Sequence, residues 1–141
     1  MPPVPLPPTL EEFLALPNAA VVATVRRDGS PHTVATWYDW DRGRVLFNLD
    51  EGRVRLANIR RDPRVALTVL GESWDMHLSL LGRIVEIHAD TDLRDIDRLS
   101  QRYDGRPWSR RGDRRVSAWM RPERWHGWNG PAPLRGHQSD P

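Results

Sequence analysis

The chain has 141 residues, a formal net charge of +2 and no cysteine. This length corresponds to a single domain, and the lack of cysteine excludes disulfide bonds, thiolate metal sites and a cysteine nucleophile. No apolar run approaches the roughly 20 residues that span a bilayer, and the N-terminus lacks a signal peptide, so we expect a cytoplasmic protein without a membrane partner.

The first half of the chain predicts a short helix followed by strands with tight turns. The proline-rich segment 1–8 is expected to be flexible. Thr9-Leu-Glu-Glu12 has the pattern of a capping box that opens a helix at about residues 10–16. Strands are predicted at residues 20–26, 32–40 and 44–49, with an Asp-Gly turn at 27–30 and another turn at 41–43.

The second half predicts two helices and three more strands. An arginine-rich helix at 53–61 ends before Asp62-Pro63, since proline disfavours helix in the residue before it. Strands follow at 64–70 and 74–88, the latter bent at Gly82, then a helix opened by Asp90 or Thr91 and a strand at 115–120. Residues 9–130 are expected to form the domain and residues 131–141 a flexible tail.

Six strands with short flanking helices predict a mainly β protein, and specifically a small six-stranded antiparallel barrel. The seven tryptophans of the chain supply aromatic surface for its core, for a subunit interface or for the walls of a ligand cleft. No histidine pair on a predicted helix has the spacing of a metal site, so no metal is expected.

The segment from Gly52 to Val65 is the strongest sign of function. Arg53 and Arg55 fall in the first turn of a helix that follows a strand, where free backbone N–H groups and the helix dipole favour an anion. Their planar guanidinium groups match phosphate or carboxylate oxygens. The alternative is an exposed helix face whose arginines pair with neighbouring acids such as Glu51.

A series of short motifs occurs in order between about residues 10 and 129. The motifs are Val22-Ala-Thr-Val25, Asp28-Gly-Ser-Pro-His32, Trp37-Tyr-Asp39, Gly43-Arg-Val-Leu-Phe-Asn48, the segment 52–65, Gly82-Arg-Ile-Val-Glu86, Gln101-Arg-Tyr103, Arg115-Val116 and Pro122-Glu-Arg-Trp125. This series resembles the pyridoxamine 5′-phosphate oxidase-like split β-barrel flavoproteins, which are of the FMN-binding split-barrel type. It is most similar to the branch that uses coenzyme F420, a deazaflavin.

The resemblance implies a homodimer with two cofactor sites in clefts between the subunits. The resemblance implies that the cofactor ring lies against two strand segments, formed by Thr33, Val34, Ala35, Thr36 and Trp37 and by Phe47, Asn48 and Leu49. It implies that Arg53, Arg55 and Asn58 bind the phosphate. Trp74 and Trp128 of the partner subunit would close the cleft. His77 is a candidate proton donor to the product.

The resemblance also implies the chemistry, which is hydride transfer between the deazaflavin and an electron-poor conjugated substrate, without a protein nucleophile. Asn48 and Leu49 stand where FMN-binding relatives tend to carry a basic residue, so coenzyme F420 is favoured and FMN is the alternative. A further alternative is a non-catalytic module for a deazaflavin, haem or RNA. Residues 102–124 interleave arginine with tryptophan as single-strand binders do, but acidic residues dilute that stretch and disfavour nucleic acid.

Overall fold

The computed structural model of the protein describes residues 1–129 and the backbone of residues 132–134. Three helices and eight strands are present in this part of the chain. They are α1 (Pro8–Leu14), β1 (Ala20–Val25), β2 (Pro31–Thr36), β3 (Asp39–Asp41), β4 (Arg44–Asp50), α2 (Val54–Arg61), β5 (Arg64–Leu70), β6 (His77–Ala89), α3 (Arg94–Asp104), β7 (Arg115–Asn129) and β8 (Ala132–Leu134).

The strands form one antiparallel sheet in the order β2-β1-β5-β6-β7-β4-β3, and β8 pairs with β7. The predicted mainly β fold with flanking helices is therefore confirmed, although the described strands number eight rather than six. The predicted strand at 32–40 is divided into β2 and β3, and β8 adds a strand beyond the predicted set. Among the described residues no hydrogen bonds close the sheet, and β2 and β3 stand at the two ends of the strand order.

Strand β4 is buried on both faces, which determines where a ligand can approach it. Phe47 and Leu49 belong to the main hydrophobic core, whereas Leu46 packs with Ile96 and Leu99 of α3. Because successive side chains of a strand point to opposite faces, α3 covers the face of β4 that lies outside the main core.

Gly82 lies in the long pair formed by β6 and β7, as the predicted bend requires. The pairing register shifts between Leu81 and Gly82. A Cβ at Gly82 would collide with the backbone carbonyl of Arg121, so only glycine fits this close approach of the two strands.

The two ends of the chain differ from the sequence-based expectation where they are described. Pro3 pairs with Arg124, and Leu6 is only 6% exposed, so segment 1–8 packs on the sheet through long-range contacts, where a flexible segment was predicted. Residues 130, 131 and 135–141 of the predicted flexible tail lie outside the described residues. Ala132–Leu134 pairs with β7.

The two helix starts predicted from capping residues have different outcomes. Helix α1 begins at Pro8 with Pro7 as its N-cap and no side-chain cap, so the capping box at Thr9 is wrong. Proline suits the first helical position because it has no N–H group to satisfy. The N-cap residue of α3 is Leu93, so the prediction of Asp90 or Thr91 is wrong in position, but Asp90 accepts hydrogen bonds from the first-turn N–H groups of Asp95 and Ile96, at 3.1 and 2.9 Å. No helix in the described part of the chain is long and apolar enough to cross a membrane.

Candidate functional site

A cleft of about 540 Å³ opens beside the edge strand β2, between the start of α2 and the helix α3. This volume lies within the range of about 300–1,000 Å³ that is usual for small-molecule sites. The structure brings six of the predicted cofactor-binding residues to its lining, and these are Ala35, Thr36, Trp37, Asn48, Arg53 and Arg55.

Arg55 is a half-buried cation in this cleft. Its Nη1 atom is buried and has no hydrogen-bond partner among the described residues. Burial lowers the pKa of Arg55 from its ordinary value, and the charges of Arg53 and Arg115 lower it further. Since a buried guanidinium without a counter-charge is unfavourable, this side chain is suited to receive an anion.

The start of α2 presents further donors beside Arg55. Arg53 is the N-cap residue of the helix, and no side chain caps the first turn. The N–H group of Leu56 donates to the carbonyl of Arg53 at 3.1 Å, while those of Val54 and Arg55 have no partner among the described residues and remain available to an anion. Glu51 pairs with Arg60 at 2.7 Å, so the alternative of an exposed helix face paired with acids describes Arg60 rather than Arg55.

The cleft has an aromatic wall next to these cations. The ring of Trp37 stacks on Tyr103, with 5.4 Å between centroids and an interplanar angle of 2°. Trp108 meets Trp37 edge to face, at 5.9 Å and 85°. The small residues Ala19 and Ala20 also line the cleft and bring no bulky side chain to it. A flat apolar group and an adjacent anion thus fit together in the cleft.

Ten further residues of the cleft lining are absent from the predicted site, and the aromatic and cationic ones among them are Tyr103, Trp108, Arg110 and Arg115. Tyr103 and Arg115 lie in the recognised motifs, but the sequence assigned them no role. Trp108 stands in an otherwise polar loop, and an isolated tryptophan in such a loop is the signal that could have indicated it.

Asn48 lines the cleft, but its side chain is engaged inside the protein. Its amide nitrogen donates to Asp90 at 3.0 Å and to Ser117 at 3.1 Å, and its Oδ1 accepts from Nε of Arg115 at 2.9 Å. The hydrogen bonds of Asn48 therefore fix the position of the Arg115 side chain.

Asn58, which matches a phosphate-binding position of the family, lies away from the cleft. It is 4% exposed, donates to Oγ1 of Thr24 at 3.0 Å and accepts from Arg61 at 3.0 Å. These contacts join α2 to the sheet and occupy the amide on both sides.

The strand residues predicted to face the ring divide between two sides. Phe47 and Leu49 point into the core and are 4% and 3% exposed, because they alternate with the cleft-facing Asn48. Thr33 is exposed on the edge strand. Val34 lines a neighbouring groove of about 500 Å³ that shares Arg53 and Arg55 with the cleft.

Trp74, His77 and Trp128 lie together at the end of β6 and β7. Trp74 is 73% exposed, and its carbonyl oxygen is 2.8 Å from Nδ1 of His77, which pairs in register with Trp128. The described lining of the cleft includes none of the three. These residues therefore do not line the cleft of their own subunit.

The chain matches a known protein family over residues 6–129, and this family is described as Pyridoxamine 5′-phosphate oxidase. The chain belongs to this family. The match covers the whole sheet up to Asn129, so the predicted split-barrel fold and the resemblance stated from the sequence are both confirmed.

Solved structures agree with the family assignment. An F420 reductase has 31% sequence identity and a TM-score of 0.74, and the alignment covers 82% of this chain and 94% of that one. A conserved hypothetical protein from Mycobacterium tuberculosis has 23% identity and a TM-score of 0.72, over 98% of this chain and 96% of that one. A heme binding protein from Mycobacterium smegmatis has 16% identity and a TM-score of 0.70, over 95% of this chain and 59% of that one.

The last two similarities, both below 25% identity, show the fold alone. A comparison with curated proteins gives no match. Membership of the pyridoxamine 5′-phosphate oxidase family supports an oxidoreductase whose cofactor belongs to the flavin and deazaflavin class.

Proposed function

We propose that the protein is an oxidoreductase that binds coenzyme F420 in the cleft and transfers a hydride between this deazaflavin and an electron-poor conjugated substrate. The observation that carries the proposal is the buried Nη1 of Arg55, which has no hydrogen-bond partner in the described part of the chain and lies beside Arg53 at the start of α2. The 31% identity with an F420 reductase supports the choice of coenzyme.

The charge of the cleft suits a tail with several anionic groups. Arg53, Arg55 and Arg115 line the cleft close enough for their charges to interact, together with the carboxylate of Asp50. Coenzyme F420 carries a phosphodiester and several carboxylates along its tail, so its charge is spread over a length as the arginines are. Arg53 and Arg55 would bind the phosphodiester, with N–H groups of the first turn of α2 as further donors.

The aromatic and edge-strand side of the cleft suits the ring. Ala35 and Thr36 come from an edge strand whose outer backbone groups are not used by a further strand, and Trp37 follows them. When bound, the deazaflavin supplies the hydride chemistry, while these residues orient its ring and exclude water. This mechanism requires no nucleophilic side chain from the protein.

We also propose that the protein acts as a homodimer. Val21 and Leu81 are 37% and 39% exposed on the same outer face of the sheet as Ala35, which lines the cleft. His77 and Trp128 extend this face by register. A second copy covering the face would bring its Trp74, His77 and Trp128 towards the cleft, where His77 or water would protonate the product. Sedimentation of a monomer at micromolar concentration would contradict this arrangement.

Titration of the purified protein with coenzyme F420, followed by coenzyme fluorescence, tests the proposed function. FMN and haem are titrated in parallel by absorbance. Micromolar or tighter binding of the deazaflavin is the expected result. Absence of that binding, or a yellow chromophore retained through purification together with tighter FMN binding, would replace the proposal by the FMN alternative or by a non-catalytic module.

A further inference from the structure

Trp108 carries two guanidinium groups over its ring. The Cζ atoms of Arg110 and Arg115 lie 4.8 and 5.0 Å from the ring centroid. Arg115 is buried, but the side chain of Arg110 is 56% exposed and stands at the lip of the cleft. The cleft thus has a second cationic end, on the loop between α3 and β7.

This end is held in place by contacts that leave Arg110 accessible. The backbone N–H of Trp108 donates to Asp97 at 2.9 Å, and Arg111 binds the same carboxylate at 2.6 Å. The indole N–H of Trp108 donates to Asp113 at 3.1 Å. The loop therefore holds Trp108 in a fixed arrangement before any ligand arrives, and Arg110 lies over its ring.

The contact that Arg110 makes is weak enough to be exchanged. Its Nε pairs with Asp113 at 3.1 Å, with the side chain of Arg110 56% exposed and that of Asp113 21% exposed, and ion pairs near the surface contribute little to stability. An incoming carboxylate can accept from the same guanidinium in a bidentate arrangement, which fixes the orientation of the ligand as well as its charge. Exchange of Asp113 for a ligand oxygen is therefore favourable when the ligand also fills the apolar cleft.

Arg115 is close enough to Arg110 and to Arg53 for their charges to interact. Burial lowers its pKa from the ordinary value, Asp50 and Asp113 raise it, and the charges of both Arg110 and Arg53 lower it again. Arg115 is itself engaged by Asn48 and lies 3.5 Å from Asp50. A phosphodiester bound at Arg53 and Arg55 would leave Arg110 as a further cation in the lining of the cleft.

We infer that Arg110 and Trp108 form a binding site for the acidic group of the substrate, so that the substrate is a planar conjugated acid. Its ring lies in the apolar part of the cleft and its carboxylate or sulfonate group meets Arg110. This inference rests on the proposed function, which assigns the other cationic end to the coenzyme, and it adds a substrate class to that function.

The test uses two fluorescent probes with the same aromatic skeleton and the protein without coenzyme. The acidic probe is 1-anilinonaphthalene-8-sulfonate, and the neutral probe is N-phenyl-1-naphthylamine. Arg110→Ala is expected to raise the dissociation constant of the acidic probe about tenfold and to leave that of the neutral probe unchanged. Arg110→Lys is expected to restore part of the affinity, since it keeps the charge but not the bidentate fork.

Arg106→Ala is the matched control, because Arg106 is exposed in the same loop and does not line the cleft. It removes the same charge and is expected to change neither dissociation constant. Equal weakening of both probes by Arg110→Ala, or equal weakening of the acidic probe by Arg106→Ala, would overturn the inference.

Coenzyme titration of the same variants separates this inference from the proposed function. Arg110→Ala is expected to bind coenzyme F420 within about twofold of the wild-type affinity. A loss of coenzyme affinity as large as the loss for the acidic probe would assign Arg110 to the coenzyme and overturn the inference. If the wild type binds no coenzyme while the acidic probe still depends on Arg110, the proposed function fails and the acid-binding site stands.

Discussion

Nε of Arg115 donates a 2.9 Å hydrogen bond to Oδ1 of Asn48, and this contact links the cleft to the interior of the sheet. The amide nitrogen of Asn48 continues the network to Asp90 and Ser117. Ser117 in turn donates to Asp95 of α3 at 2.6 Å. One asparagine therefore connects β4, β7 and the helix that covers the cleft.

Replacement of Asn48 by alanine is expected to lower the free energy of unfolding by about 2–3 kcal/mol. The side chain is 5% exposed, and its removal leaves the buried groups of Arg115, Asp90 and Ser117 with fewer partners. Urea denaturation followed by tryptophan fluorescence measures the change. Asn129→Ala, at an exposed end of β7, is the control and should stay within about 0.5 kcal/mol of the wild type. Equal effects of the two substitutions would contradict a buried network.

Gly82→Ala is expected to destabilise the protein by about 3 kcal/mol or to prevent folding. The added Cβ would meet the carbonyl group of Arg121, which is backbone and cannot rotate away. Gly112→Ala is the matched control, because no atom lies within 4 Å of a Cβ at that position. Thermal denaturation followed by circular dichroism compares the two. A Gly82→Ala protein with the wild-type melting temperature would show that β6 and β7 do not approach as described.

The sequence predicts the part of the site that depends on local order. A strand followed by a turn and a helix fixes where Arg53 and Arg55 stand, and this required no knowledge of distant contacts. The same reasoning does not give the direction of each side chain. Phe47 and Asn48 belong to one sequence motif, but successive side chains of a strand face opposite sides of the sheet. The assignment of Phe47 to the cofactor side therefore fails on side-chain direction, even though its strand does border the cleft.

The part of the site that depends on long-range contacts was not predictable from the pattern. Trp108 reaches the cleft because Asp97, which lies eleven residues earlier on α3, fixes the loop that carries it. Segment 1–8 is ordered because it pairs with Arg124 of β7, more than a hundred residues away. The loop that carries Trp108 is polar and segment 1–8 is proline-rich, and neither property indicates which surface such a segment will contact.

The pair formed by Asp62 and Arg64 predicts a pH dependence of stability. Hydrogen bonds from the side chain and backbone of Arg64 lower the pKa of Asp62 from 3.8 to about 2. Because the folded pKa is depressed, the contribution to stability is complete above the ordinary pKa of the unfolded chain and is lost as the pH falls from about 4 to about 2. Asp62→Asn should therefore lose less stability than the wild type over this interval.

NMR titration of the Asp62 carboxyl carbon, together with urea denaturation at each pH, measures this effect. Arg64→Ala is the informative comparison, since it removes the side-chain donor and should return the titration midpoint towards 3.8. Identical pH profiles of stability for the wild type and Asp62→Asn would show that the pair is not formed in the folded protein.

Arg55→Met is expected to separate binding from stability. The substitution removes a half-buried cation that has an unsatisfied Nη1 atom and replaces it with an apolar side chain of similar length. The free energy of unfolding should be unchanged or higher by up to about 1 kcal/mol, since no buried partner loses its counter-charge. Coenzyme binding should weaken by about 1.5–3 kcal/mol, which is roughly tenfold or more, because one charge-assisted hydrogen bond is lost.

Arg60→Met provides the matched control for Arg55→Met, because it lies on the same helix and pairs with Glu51 at an exposed position. It should leave coenzyme affinity unchanged and lower the free energy of unfolding by about 0–1 kcal/mol. Inorganic phosphate offers a second readout, since an anion that binds at Arg55 raises the melting temperature of the wild type through linkage and leaves that of Arg55→Met unchanged. Equal responses of the wild type and Arg55→Met to both ligands would place the anion site elsewhere in the molecule.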